Sequence, residues 1–153
     1  MKLENAIPFV NCPVLPNVLH GKLFLSTTCD ITPHECELFW VAFQLAGKAL
    51  VDSPLPDDQL FATAIITDQD KITLNIEPND LGNAARLMVY PIHRWRNLHL
   101  SDYQILTCIL EEIAHCLWLI VDEEQVKYKV LELARLYDPN IRLEDLYPAM
   151  PGV

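Results

Sequence analysis

Residues 101–121 read SDYQILTCILEEIAHCLWLIV, and the way this stretch folds decides the architecture. Ser101 followed by Gln104 forms a capping box, in which the hydroxyl and the side-chain amide satisfy backbone groups left unpaired at the first turn of a helix. Neither Gly nor Pro interrupts the run that follows, so one helix is expected over 101–121. At about 100° per residue, Gln104, Cys108, Glu111, Glu112 and His115 share a narrow sector, and Leu106, Ile109, Leu110, Ile113, Leu117 and Ile120 fill the far side. No Lys or Arg occurs from Ser101 through Gln125, which predicts a largely buried helix. Carboxylates in such a setting need a partner, because a desolvated charge costs several kcal/mol or gives up its ionisation.

Upstream, the chain alternates between extended and helical signals. Pro8, Pro13 and Pro16 favour extended chain, and residues 22–26 read as a short strand. Thr32-Pro33-His34-Glu35 supplies a cap, a first-position proline and a capping-box glutamate, predicting a helix over 33–50 with a broad apolar face. Pro54 and Pro56 end it and lead to a loop carrying Asp57 and Asp58. Residues 60–67 and 71–77 are rich in β-branched side chains and flank Asp68-Gln69-Asp70, which predicts a hairpin whose first strand is the more buried. A loop over 79–83 follows. Residues 86–90 read as a third strand stopped by Pro91, with a short helix over 80–88 as the alternative. Residues 92–99 form a connection with two histidines, two arginines and Trp95; it either reaches over a site or is a surface loop with one tucked aromatic.

Downstream, the apolar rhythm pauses at Asp122-Glu123-Glu124-Gln125 and resumes to about Tyr137. Asp122 with Gln125 is again cap-like, so a turn followed by a third helix is preferred over one unbroken helix across 102–137. The tail over 138–153, with Pro139, Pro148 and Pro151, is expected to lie irregularly over the surface, anchored by Leu143, Leu146 and Tyr147. Together these segments predict a single α+β domain over 1–153, with a small, mostly antiparallel sheet packed on a central helix and two further helices.

Within the central helix, Glu111-Glu112-Ile113-Ala114-His115 resembles the HExxH motif of zincin metallopeptidases, with glutamate at the first position. The predicted order of helices and strands also resembles the minimal zincin-like core. The resemblance implies a zinc-dependent hydrolase acting on a peptide or protein substrate. Glu111 and His115 would hold zinc and Glu112 would be the base that activates its water. In zincins a third ligand comes from further along the chain; a sharp turn after the motif helix would bring Glu123 or Glu124 round. An antiparallel return about residue 121 would instead place Lys127, Tyr128 or Glu132 beside His115. Lysines on that returning helix, Lys127 or Lys129, would neutralise Glu111 and Glu112 without metal.

Composition narrows the partners. A formal net charge of -10 argues against nucleic acid and against an anionic membrane surface, and no stretch has the length of a membrane span. The five cysteines, Cys12, Cys29, Cys36, Cys108 and Cys116, show no CxxC spacing, and residues 1–8 lack a basic leader with a long apolar run. A cytoplasmic protein with reduced thiols is therefore expected. The four glycines leave little material for a phosphate-cradling loop. Two functions of different class remain: a zincin-like metallohydrolase, and a non-catalytic protein-interaction domain in which Glu111, Glu112 and His115 form a structural polar cluster.

Overall fold

The computed structural model describes residues 2–8, 15–52, 62–75 and 86–148. The 53–61 and 79–83 loops, Cys12, Pro13, Pro151 and the outer ends of the two expected hairpin strands lie outside them. The chain is α+β. Short strands β1 (Lys2–Leu3) and β2 (Ile7–Pro8) precede a 3-10 turn at Asn17–Leu19, strand β3 (Leu23–Thr27) and helix α1 (Pro33–Asp52). Strands β4 (Ala62–Thr67), β5 (Leu74–Asn75) and β6 (Arg86–Pro91) follow. Helices α2 (Ile92–Asn97), α3 (Asp102–Leu117), α4 (Glu123–Arg135) and α5 (Leu143–Leu146) complete the fold.

The main sheet runs β2-β3-β4-β6. Its pairings differ from the expected mostly antiparallel pattern: β2 is antiparallel to β3, but β3–β4 and β4–β6 are parallel. The expected hairpin is absent for the same reason. Both edges of β4 are taken by parallel neighbours, so β5 pairs instead with β1, antiparallel, in a separate two-stranded ladder. Parallel pairing of β3 and β4 requires a long crossover, and α1 is that crossover. β4 is accordingly buried along nearly its whole length, Ala64 and Ile66 completely.

Local signals account for the helix ends. At α1, the Thr32 hydroxyl accepts from Glu35 N–H, and the Glu35 carboxylate accepts from Thr32 N–H at 2.8 Å. At α3 both halves of the Ser101/Gln104 capping box are present. The α3 helix stops at Leu117, four residues before its expected end, because Leu119 adopts φ +59°, a left-handed conformation that no helix continues. Asp122 then caps α4 through Gln125 N–H at 2.9 Å, so the turn is realised and the unbroken helix is not.

The core lies between the sheet and α1, α3 and α4. Phe39, Ile109, Leu110, Ile113, Val126, Val130 and Leu133 are fully buried. Phe39 stacks near Phe43, meets Tyr90 edge-on and lies tilted against Trp95, so Trp95 is the tucked aromatic of the 92–99 connection, most of which is the short helix α2. The expected tail anchors hold: Leu146 is buried and Tyr147 half-buried, with α5 a short helix where irregular chain was expected. No helix among the described residues is long and apolar enough to cross a membrane.

Candidate functional site

Helix α3 leaves the carboxyl end of β6 and runs back along it, so its last turns return to the strand's amino end. Tyr90 therefore lies against Ile109, and Arg86 donates a long hydrogen bond of 3.4 Å to the Cys116 carbonyl. A groove with a cavity volume of about 340 Å³ opens at this end, lined by Arg86, Leu87, Glu112, His115, Leu119 and Val121 among others. Its rim is apolar and wet, with Val121 87% exposed. Helix α2 lies beyond the opposite end of β6 and contributes nothing to the lining. Its His93 and Arg94 both reach Asp70, and Arg96 reaches Glu35, so the connection neither roofs this groove nor lends it a ligand.

His115 is held by the turn that follows its own helix. Its Nδ1 stands 2.7 Å from the Ile120 carbonyl oxygen. A carbonyl only accepts, so Nδ1 carries the proton and the neutral ring keeps its lone pair on Nε2. That nitrogen faces Glu123 Oε1 at 3.7 Å, outside hydrogen-bond range. Glu124, the next residue, is exposed and makes no ion pair with His115 or any other described residue.

Glu111 and Glu112 are both half-buried, and burial raises both carboxyls above the ordinary range; for Glu112, His115 pulls the other way while Glu111 and Glu123 add to the rise. Glu111 faces α5, beside the buried hydroxyl of Tyr147, which completes no hydrogen bond of ordinary geometry. Burial, then the Glu111 charge, pushes the Tyr147 hydroxyl up, and the neighbouring Cys108 thiol is pushed up to about 11 by the same two causes. Glu112 lines the groove and makes no hydrogen bond or ion pair with any described residue.

The expected lysine partners are engaged elsewhere. Lys129 pairs with Glu132 at 2.7 Å and lies over the Trp118 ring, and Lys127 lies over Tyr147. Neither forms an ion pair with Glu111 or Glu112, although the Lys127 charge, over Tyr147, pulls the Glu111 carboxyl down against the larger effect of burial. Among the described residues no three His, Cys, Asp or Glu side chains converge on a point that could hold a metal ion. The pair His115 and Glu123 is right in kind for zinc, but Glu111 turns toward Tyr147 and Glu112 into the groove, and no third ligand converges on that pair among the described residues.

Comparison with known families, curated proteins and solved structures finds no match for this chain. Sequence periodicity placed Glu112 and His115 on one sector of the helix. The other half of the groove, Arg86, Leu119 and Val121, carries no local signal and is assembled only by the strand and turn that pack there.

Proposed function

We propose that this chain is a non-catalytic protein-interaction domain whose groove at the amino end of β6 receives a basic side chain of a partner peptide. The observation that carries this reading is Glu112: a half-buried carboxylate, facing an open groove, with no cation of its own. A lysine or arginine would supply the missing charge, and Leu87, Leu119 and Val121 would pack against its alkyl stem and apolar neighbours. Arg86, on the far wall, is held toward the Cys116 carbonyl and leaves Glu112 unneutralised. Glu111 and His115 serve this reading structurally, Glu111 against Tyr147 and His115 against the Ile120 carbonyl.

The test is a calorimetric titration with short peptides carrying one central Lys or Arg between apolar residues. Saturable binding that weakens at least about tenfold in Glu112→Gln is expected, a loss of about 1.4 kcal/mol. Equal binding by wild type and Glu112→Gln, or by peptides with norleucine at the centre, would sink the proposal.

A second reading, a zincin-like metallohydrolase, draws support from the His115 ring, whose Nε2 lone pair is presented beside Glu123 in the manner of a metal-binding imidazole oriented through its other nitrogen. Metal analysis of protein purified without an affinity tag separates the two. Near-stoichiometric zinc that disappears in both Glu111→Ala and His115→Ala favours the hydrolase.

A further inference from the structure

The three parallel strands β3, β4 and β6 end on the same side of the sheet, where the first turn of α1 and helix α2 also lie. A second cavity, of about 530 Å³, opens there, lined by Asn5, Thr28, Cys29, Asp30, Asp68 and Arg96 among others. In open sheets with parallel strands, ligands bind outside the carboxyl ends of the strands, where loop backbone and side chains gather. The volume is that of a small-molecule site.

Groups of both charges line it, Arg96 on one part and the carboxylates of Asp68 and Asp30 on another. Arg96 is fixed in place: Nε donates to Glu35 Oε1 at 2.8 Å, and Nη2 donates to Glu35 Oε2 at 2.8 Å and to the Asp30 carbonyl at 3.0 Å. Glu35 is itself anchored by Thr32, so the guanidinium plane is set by the fold. These bonds use Nε and Nη2, and Nη1 makes no hydrogen bond to a described residue while the side chain remains 42% exposed. On the other part, the carboxylates of Asp68 and Asp30 make no hydrogen bond or ion pair with a described residue. A ligand bearing only negative charge would meet both carboxylates, and one bearing only positive charge would leave Arg96 Nη1 without an acceptor. A molecule with both charges close together satisfies each part.

We infer that this strand-end cavity is a binding site for a free α-amino acid, its carboxylate on Arg96 Nη1 and its ammonium on Asp68 and Asp30. The site is separate from the Glu112 groove and does not rest on the function proposed for it. Thr28 and Asn5 complete the polar wall, although the Thr28 hydroxyl is already spent on Thr67 at 2.9 Å.

The experiment is ligand-observed NMR on the full chain with the common L-α-amino acids, one at a time, followed by the Nα-acetyl and carboxamide forms of any that bind. At least one amino acid should bind saturably, each blocked form should bind at least about tenfold more weakly, and Asp68→Asn should lose affinity by a similar factor. Because Arg96 also supports the fold, the blocked ligands test its role without disturbing it. Binding should be unchanged in Glu112→Gln. The inference is overturned if no amino acid binds, if the blocked forms bind as the free ones do, or if Asp68→Asn binds like the wild type.

Discussion

His115 Nδ1 donates to the Ile120 carbonyl oxygen across 2.7 Å, closing the turn that Leu119 makes with φ +59°. The bond ties the end of α3 to the start of α4 and fixes which ring nitrogen faces outward. In the neutral ring the proton should therefore sit on Nδ1, and two-dimensional 15N spectra of the imidazole should show Nε2 as the unprotonated nitrogen. The opposite tautomer would mean that the turn is not closed by this side chain. His115→Ala should lower stability by about 1 kcal/mol, the usual worth of one such bond, measured by urea denaturation.

Burial raises the Glu112 carboxyl and no cation opposes it beyond the neighbouring His115. A carboxyl whose folded pKa lies above its unfolded value binds its proton more tightly in the native state, so its stability contribution is present at low pH and is lost as pH rises through the folded value. Glu112→Gln should therefore raise the melting temperature more at pH 7 than at pH 4. A gain that is the same at both pH values, or a loss confined to neutral pH, would show that the carboxylate has a partner when the protein is folded.

The Glu35–Arg96 pair carries the opposite sign. Burial alone would raise Glu35, but the Arg96 guanidinium together with the Thr32 amide and hydroxyl outweighs it and holds the carboxyl below its ordinary value. Its contribution is thus present above the unfolded carboxylate range and lost as pH falls through the folded value. Glu35→Gln should cost about 2 kcal/mol at pH 7. That is less than the loss on breaking a fully buried pair, because Arg96 is 42% exposed. The difference from wild type should shrink in acid, which thermal melts at a series of pH values would check.

Gly47 lies in the middle of α1, where alanine would ordinarily be favoured by about 1 kcal/mol. A Cβ there would come within 2.6 Å of both Cβ and Cγ of Pro16, a ring with no freedom to swing aside. Overpacking of this kind costs roughly 1–3 kcal/mol, so Gly47→Ala should destabilise by about 1 kcal/mol in chemical denaturation. A more stable variant would place the 3-10 turn at Asn17–Leu19 off the helix.

Much of the fold was legible in the chain because it is written in local chemistry. The capping boxes at Thr32 and Ser101, the cap at Asp122 and the stop at Pro91 act over a few residues, so the helices α1, α3 and α4 and the strands β3 and β6 stand close to where they were expected. Strand pairing was not legible. A β-branched run states only that it will be a strand; whether β4 turns back on β5 or lies parallel between β3 and β6 depends on which edges are filled, and α1 settles that by carrying the chain across the sheet.

The sequence by itself determined that Glu111, Glu112 and His115 share one sector of a helix that carries no Lys or Arg of its own, because periodicity and the absence of Lys and Arg from 101–125 require it. Only the tertiary structure decided what surrounds them. Glu111 turns to Tyr147, Glu112 to an open groove, and His115 to the Ile120 carbonyl, since partners that arrive from α5, β6 and the α3–α4 turn are set by packing geometry rather than by spacing along one helix. The cavity holding Arg96 and Asp68 has the same origin: its residues, far apart in sequence, meet where three parallel strands end.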